Sequence, residues 1–398
     1  MNTNTNRLLA IYAVTLMTAV GTSAMPPALR AVEGYFGITA DVSGGLLAIF
    51  TLPGIFLTTL LGIMSDSVGR RKILVPSLAI FAVGGVWAFF ANSFGDLLLI
   101  RLVQGVGAAS LGALNVTLIG DYYSGTERTK IMGYNNSVLS VGTAAFPVIS
   151  GALAGISWKL PFALPVLAAL VMVLVLMFIR DTDSPRRTTS FELYMQGALS
   201  ALRIKTIVVL LLVSVVTFAL LFGPFLNYVQ SYMKNILAPN DPNILPKIGA
   251  ITSIMSVSTA IGASFLGKLT QRYSHKLLLV VSCVLYAVAL SLFWIMPTFG
   301  LLFIPSIIFG VAQAFNQPNV QSLIAAYAPT EQRGVFMSLN RTVSLLGQTL
   351  GPVVFGKLVY YQLSGHDEIF RLGAVFMCGA MCALVLAFIV KMQKQLVQ

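Results

Sequence analysis

Apolar residues recur in twelve long runs separated by short polar turns, and within a run they cover every helical face instead of alternating. The runs lie near 8–29, 44–64, 73–91, 97–119, 131–155 and 160–179, then near 206–228, 247–268, 277–297, 299–322, 335–360 and 368–391. Each is close to the ~20 residues a helix needs to cross the hydrocarbon of a bilayer. Short alternating strands, the mark of a transmembrane barrel, are not what the pattern offers. The expected fold is an all-α membrane protein of twelve transmembrane helices. Between the sixth and seventh runs, residues 181–187 form a polar linker, and 191–203 read as an amphipathic stretch resting on the membrane. This boundary divides the chain into a six-helix bundle at 1–180, a linker at 181–205 and a second bundle at 206–398.

The two bundles are one unit duplicated. A shift of 205 residues lays Gly62 on Gly267, Gly105 on Gly310, Met132 on Met337, Asn135 on Asn340, Gly142 on Gly347, Pro147 on Pro352 and Gly151 on Gly356. The same shift lays Asp66 on Gln271, Arg70 on His275 and Arg101 on Ser306. The second half has lost those charges, so electrostatic work is expected in the first. His275 reads as a solvated loop histidine.

Composition agrees with lipid as the solvent: 57% of the 398 residues are hydrophobic and 10% are charged, against roughly 25% charged in a soluble domain. The net charge of +12 invites a nucleic-acid reading, but seventeen of the 25 Lys and Arg fall on one side of the expected topology. Positive-inside bias accounts for most of them, places both termini in the cytoplasm of a multi-pass inner-membrane protein, and leaves no role for nucleic acid. Arg30, Lys159, Lys234 and Lys247 are expected in the opposite loops.

The loop between the second and third runs reads Gly62-x-x-x-Asp66-x-x-Gly69-Arg70-Arg71-Lys72. It resembles the loop motif between helices two and three of the major facilitator superfamily of transporters, departing at Ser67, where the family usually has a basic residue. The resemblance covers essentially the whole chain. It implies two six-helix repeats, a substrate held between them near the midplane, and a gating role for Asp66, Arg70 and Asp121. The fourth run, with Arg101, Gln104, Gly105, Gly107, Ala108 and Ala109, is similar to the helix-four motif of the superfamily's proton-linked antiporters, whose arginine is implicated in coupling. Gly142, Pro147 and Gly151 in the fifth run resemble the antiporter motif of helix five, with Phe146 and Ser150 standing where it has glycines. Small residues with a proline build a close, pliable contact between helices. The chain is thus most similar to the drug:proton antiporters, which implies export in exchange for protons. Uptake of a small nutrient or lipid-like solute is the alternative.

For binding, Gln313, Asn316 and Gln317 share one face of the tenth run. Phe218, Phe222, Asn227 and Tyr228 in the seventh, Tyr12 and Met25 in the first and Asn115 in the fourth complete the candidates. Aromatics, a methionine and neutral amides without a fixed charge suit small amphipathic or apolar molecules. Arg101 is expected to be functional, either biasing an acid such as Glu33 or pairing an anionic substrate group. No carboxylate lies in the middle of the first run, and Glu33 is expected in the interfacial zone beyond Arg30. The histidines, His275 and His366, lie in separate loops, and the three cysteines sit in apolar runs, so neither catalysis nor a metal or other cofactor is expected. The partners expected are a small-molecule substrate, protons and the bilayer, with the chain working as a monomer.

Overall fold

The computed structural model describes residues 3–180, 191–237, 241–296, 298–329, 332–363 and 365–393, and among these every regular element is helical. The first half contributes α1 (Thr5–Phe36), α2 (Ala40–Val68), α3 (Arg70–Phe90), α4 (Phe94–Tyr122), α5 (Gly125–Ile156) and α6 (Lys159–Phe178). The second contributes α7 (Lys205–Asn235), α8 (Ile244–Leu269), α9 (His275–Ile295), α10 (Phe299–Tyr327), α11 (Arg333–Val353) and α12 (Glu368–Met392). All but α11 are long and apolar enough to span a membrane by length and composition. Asn340, Arg341 and Gln348 interrupt the apolar pattern of α11, which continues beyond Val353 as a π-helical segment, Val354–Tyr361. Of the linker, residues 181–190 lie outside the described residues, and the amphipathic stretch is a helix, Phe191–Arg203.

The breaks in these helices have local causes. Pro26 and Pro27 lack amide donors and start a new helical segment within α1 after Ala24. Gly69 ends α2 with φ 116°, a backbone conformation that side chains rarely allow, so the motif glycine makes the tight turn into α3. Ser93 caps α4, its hydroxyl accepting from the Asp96 amide at 3.0 Å while the Asp96 carboxylate accepts from the Ser93 amide at 2.9 Å. The same helix is interrupted between Ala108 and Leu111, where Thr58 of α2 donates to the Ala109 carbonyl at 2.9 Å. Gly223-Pro224 lies in a π-helical stretch of α7, Leu221–Val229.

The duplication is visible in the packing. Gly105 of α4 lies against the backbone of Phe50 in α2, and its repeat partner Gly310 of α10 lies against the backbone of Met255 in α8. Phe50 and Met255 are themselves 205 residues apart.

Apolar cores show how the halves meet. One core holds only first-half side chains, among them Ile11, Phe81, Leu118 and Val175. Another holds second-half side chains, with Ile207, Leu279, Leu323 and Phe336, together with Ala201 of the Phe191–Arg203 helix. A third mixes Met25, Leu29, Leu46 and Phe162 with Phe222, Phe225, Tyr228, Ile248 and Phe293. The halves therefore share a core at the end of the bundle that carries Arg30 and have separate cores toward the end that carries Arg70, here termed the basic end.

Candidate functional site

Arg30 is fully buried, and its guanidinium joins the halves. It donates to Glu33 at 2.6 Å within α1, and across to Asn227 at 2.7 Å and to the hydroxyl of Ser231, both in α7. The Ser43 hydroxyl donates to the other Glu33 oxygen, the Asn227 amide donates to the Ala40 carbonyl at 2.9 Å, and Lys234 donates to the Arg30 carbonyl at 2.8 Å. A charge taken out of water is costly unless paired and hydrogen-bonded, and here both ions are. The π-helical stretch of α7 carries Asn227, placing its amide between the two halves.

This corrects the sequence reading at three points. Arg30, Lys234 and Lys247 are not in loops, because α1 runs on to Phe36, α7 runs on to Asn235 and α8 starts at Ile244. Glu33 is packed inside the protein, only 7% exposed. The buried charges are tolerated because residues about 200 positions apart satisfy each other, which no single run reveals.

Two glycine pairs record closure at one end and separation at the other. Gly151 of α5 lies against Leu245 and Pro246 of α8, where a Cβ would fall 2.5 Å from the Leu245 carbonyl oxygen, and Gly249 lies against Pro147 and Val148. Gly133 and Gly267, each eighteen residues toward the basic end, return to the same face after about five turns. Both have nothing within 4 Å of a Cβ. On the other side, α2 and α11 stay linked by Thr51 with Thr349 at 2.7 Å and Thr59 with Ser338 at 3.0 Å.

At the basic end, Asp66, Arg70 and Asp121 come together. Arg70 pairs with Asp66 one helical turn before it, holds Asp121 of α4 at 3.0 Å, and donates to Ser65 at 2.6 Å. Each side chain is 16–26% exposed. Arg101 is elsewhere and fully buried. It donates to the Gly21 carbonyl at 3.1 Å, the Leu46 carbonyl at 3.3 Å and Gln104 at 3.0 Å, with its carbon 3.9 Å from the centre of the Phe50 ring. It thus ties α1, α2 and α4 together, and its contacts are carbonyls and a ring, with no carboxylate within 4 Å among the described residues.

The remaining candidates are dispersed. Gly142 packs on Leu16 and Ala19 of α1, inside the first half, whereas Pro147 meets Gly249 between the halves. Asn115 donates to Thr15 at 2.5 Å and Asn135 at 3.1 Å, joining α4 to α1 and α5. Gln313 accepts from the Tyr286 hydroxyl and Asn316 donates to Ser282 at 3.1 Å, so both amides turn toward α9. Gln317 is half-buried, with its amide nitrogen unpartnered. Met25 and Phe222 are buried in the shared core, Phe218 packs at its margin, and Tyr12 packs against the first-half core. His275 is half-buried and sits 2.5 Å from the side-chain oxygen of Asn319, so it is not a free loop residue.

A family model, Major Facilitator Superfamily, matches residues 11–240 and again 241–396. The chain belongs to the Major Facilitator Superfamily. Among its superfamily relatives, the bacillibactin exporter of Bacillus subtilis (strain 168) is 24% identical over 399 residues, covering 96% of this chain and 95% of the relative. The class B tetracycline resistance protein of Escherichia coli is 26% identical over 388 residues, covering 95% and 94%. The crystal structure of the nucleoside transporter NupG superposes with a TM-score of 0.79 over 98% of each chain at 16% identity, a likeness of fold. The protein is therefore a multi-span membrane transporter of the superfamily, acting on small molecules.

Proposed function

We propose that this chain exports small amphipathic or apolar organic compounds in exchange for protons, by alternating access. The observation that carries the reading is the one-ended closure: a buried ion pair and a shared core join the halves at the Arg30 end, and Gly133 and Gly267 face open space at the other. Positive-inside bias assigns the basic end to the cytoplasm. On this reading the structure opens inward between α5 and α8, the state in which an exporter loads. The direction is supported by relatives whose names are those of an exporter and a drug-resistance protein over nearly the full length.

Asp66, Arg70 and Asp121 serve as a releasable clasp between α2, α3 and α4, and Glu33 is the carboxylate we assign to the proton. It is buried within a span and bound to the arginine that bridges the halves. In the outward-open state Glu33 meets the outer solution. Protonation there, reclosure with the proton on board and re-formation of the Glu33–Arg30 ion pair, which expels the proton toward the inward-open side, would carry one proton in for each substrate released.

Everted membrane vesicles acidified inside test the reading directly. Amphipathic dyes are expected to accumulate in the lumen and to leave when a protonophore collapses the gradient. Accumulation that ignores the gradient would leave a facilitator, and accumulation only with the gradient reversed would leave uptake.

A further inference from the structure

Arg341 lies eight residues into α11, about 12 Å along the axis from Arg333, and it is exposed. Its chain neighbours set its direction. Asn340 is buried and accepts from Ser214 of α7 at 2.7 Å, whereas Thr342 lies 3.5 Å from Thr59 of α2. Residue 341 falls between these two bearings, so its side chain is aimed at the gap between α7 in one half and α2 in the other. Lipid is not on that side: the exposed Leu346, Leu350 and Val353 lie about 120–180° round the helix from it. On the face of Arg341 itself, Leu345, Gln348 and Pro352 toward the Arg30 end are buried, while Gly334 toward the basic end faces open space. Arg341 therefore lies on a face that is closed toward the Arg30 end and open toward Gly334, beside the α2–α11 contact that Thr59 makes with Ser338.

No described residue neutralises it. Arg341 makes no ion pair or hydrogen bond among the described residues. The helices around it, α2, α7 and α11, contain no carboxylate except Asp41 and Asp66 at the two ends of α2. An arginine within a membrane span is expensive and is retained where it lines a water-filled cavity or meets a partner. Its planar fork matches a carboxylate or sulfonate, and the Thr59 and Ser338 hydroxyls, 3.0 Å apart, lie on the adjoining face.

We propose that Arg341 is the anion-recognition residue of the transport cavity, and that the compounds carried are organic acids, an apolar or aromatic body bearing one carboxylate or sulfonate. This rests on the transporter reading, but not on its direction or its coupling ion. It revises the uncharged substrate class expected from the neutral amides and aromatics, two of which, Gln313 and Asn316, are engaged by α9.

The test is equilibrium binding to purified protein in detergent, with dansylglycine and its neutral counterpart dansylglycinamide as probes. Wild type is expected to bind the acid about tenfold more tightly than the amide. Arg341→Gln is expected to lose that preference and bind the two probes about equally, with an unchanged size-exclusion profile and melting temperature reporting that the variant is folded. Arg341→Lys is expected to keep part of it. A preference that survives Arg341→Gln, or a wild type that shows no preference or binds neither probe, overturns the proposal. No gradient enters the measurement, so its outcome is independent of whether export and proton exchange hold in vesicles.

Discussion

Gly249 rests against the Pro147 carbonyl so closely that no side chain fits between α8 and α5. The proline matters because its ring leaves the carbonyl one turn earlier without a donor and lets α5 bend toward α8. Gly249→Leu is expected to wedge this end open without touching the core of either half. A cysteine at Leu245, on the same side of the bundle, then becomes more reactive to a membrane-impermeant maleimide added from the Arg30 side. Unchanged reactivity would mean that the contact is incidental.

The buried pair of Arg30 and Glu33 predicts a non-additive stability pattern. Arg30→Ala leaves a buried carboxylate without its counter-ion, a loss of about 3–5 kcal/mol, and removing both charges together is expected to cost less than the two single losses combined. Thermal unfolding in detergent reads the cycle. Glu33→Gln keeps the shape but not the charge, so exchange of substrate across the membrane should persist while gradient-driven accumulation fails.

Asp66→Asn removes one of the two carboxylates that share Arg70. Because all three groups are partly solvated, the stability change is expected to stay within about 1 kcal/mol. Transport should nevertheless fall several-fold, since the clasp acts on the balance between conformations. A normal transport rate in a normally folded variant would remove Asp66 from the mechanism.

Arg101 spends its donors on two backbone carbonyls and Gln104, in three different directions. A lysine carries the charge but cannot span these acceptors. Arg101→Lys is therefore expected to lose nearly as much folded protein as Arg101→Ala, by size-exclusion profile and melting temperature. Full stability in the lysine variant would show that a point charge suffices there.

How much of this was legible in the sequence follows from the range of each interaction. The Asp66–Arg70 pair, the turn at Gly69 and the capping of α4 are local, and the residue types announce them. The duplication was also legible, because a repeat needs only a fixed offset, and Gly105 on Phe50 matches Gly310 on Met255. The burial of Arg30 is not legible locally, because its partners Asn227 and Ser231 lie about 200 residues away. Gln313, Asn316 and Gln317 do share a face, but periodicity does not say whether that face meets α9 or the cavity. The role of Arg341 is not legible from the polar positions of α11, because only the partners of Asn340 and Thr342 fix which side faces the gap.

The central claim is that the halves close alternately at their two ends, and the open end tests it most directly. The antiparallel register of α5 and α8, with Gly151 beside the Pro246 Cα and Gly249 beside the Val148 Cα, places Ser264 opposite Gly133. In a chain with Cys283, Cys378 and Cys382 replaced by alanine, Gly133→Cys and Ser264→Cys can be challenged with a short bifunctional thiol reagent in everted vesicles. The account predicts little cross-linking at rest and a several-fold rise when substrate and an inside-acid gradient are both supplied. Cross-linking that stays constant, whether high or absent, under rest and turnover alike would contradict it.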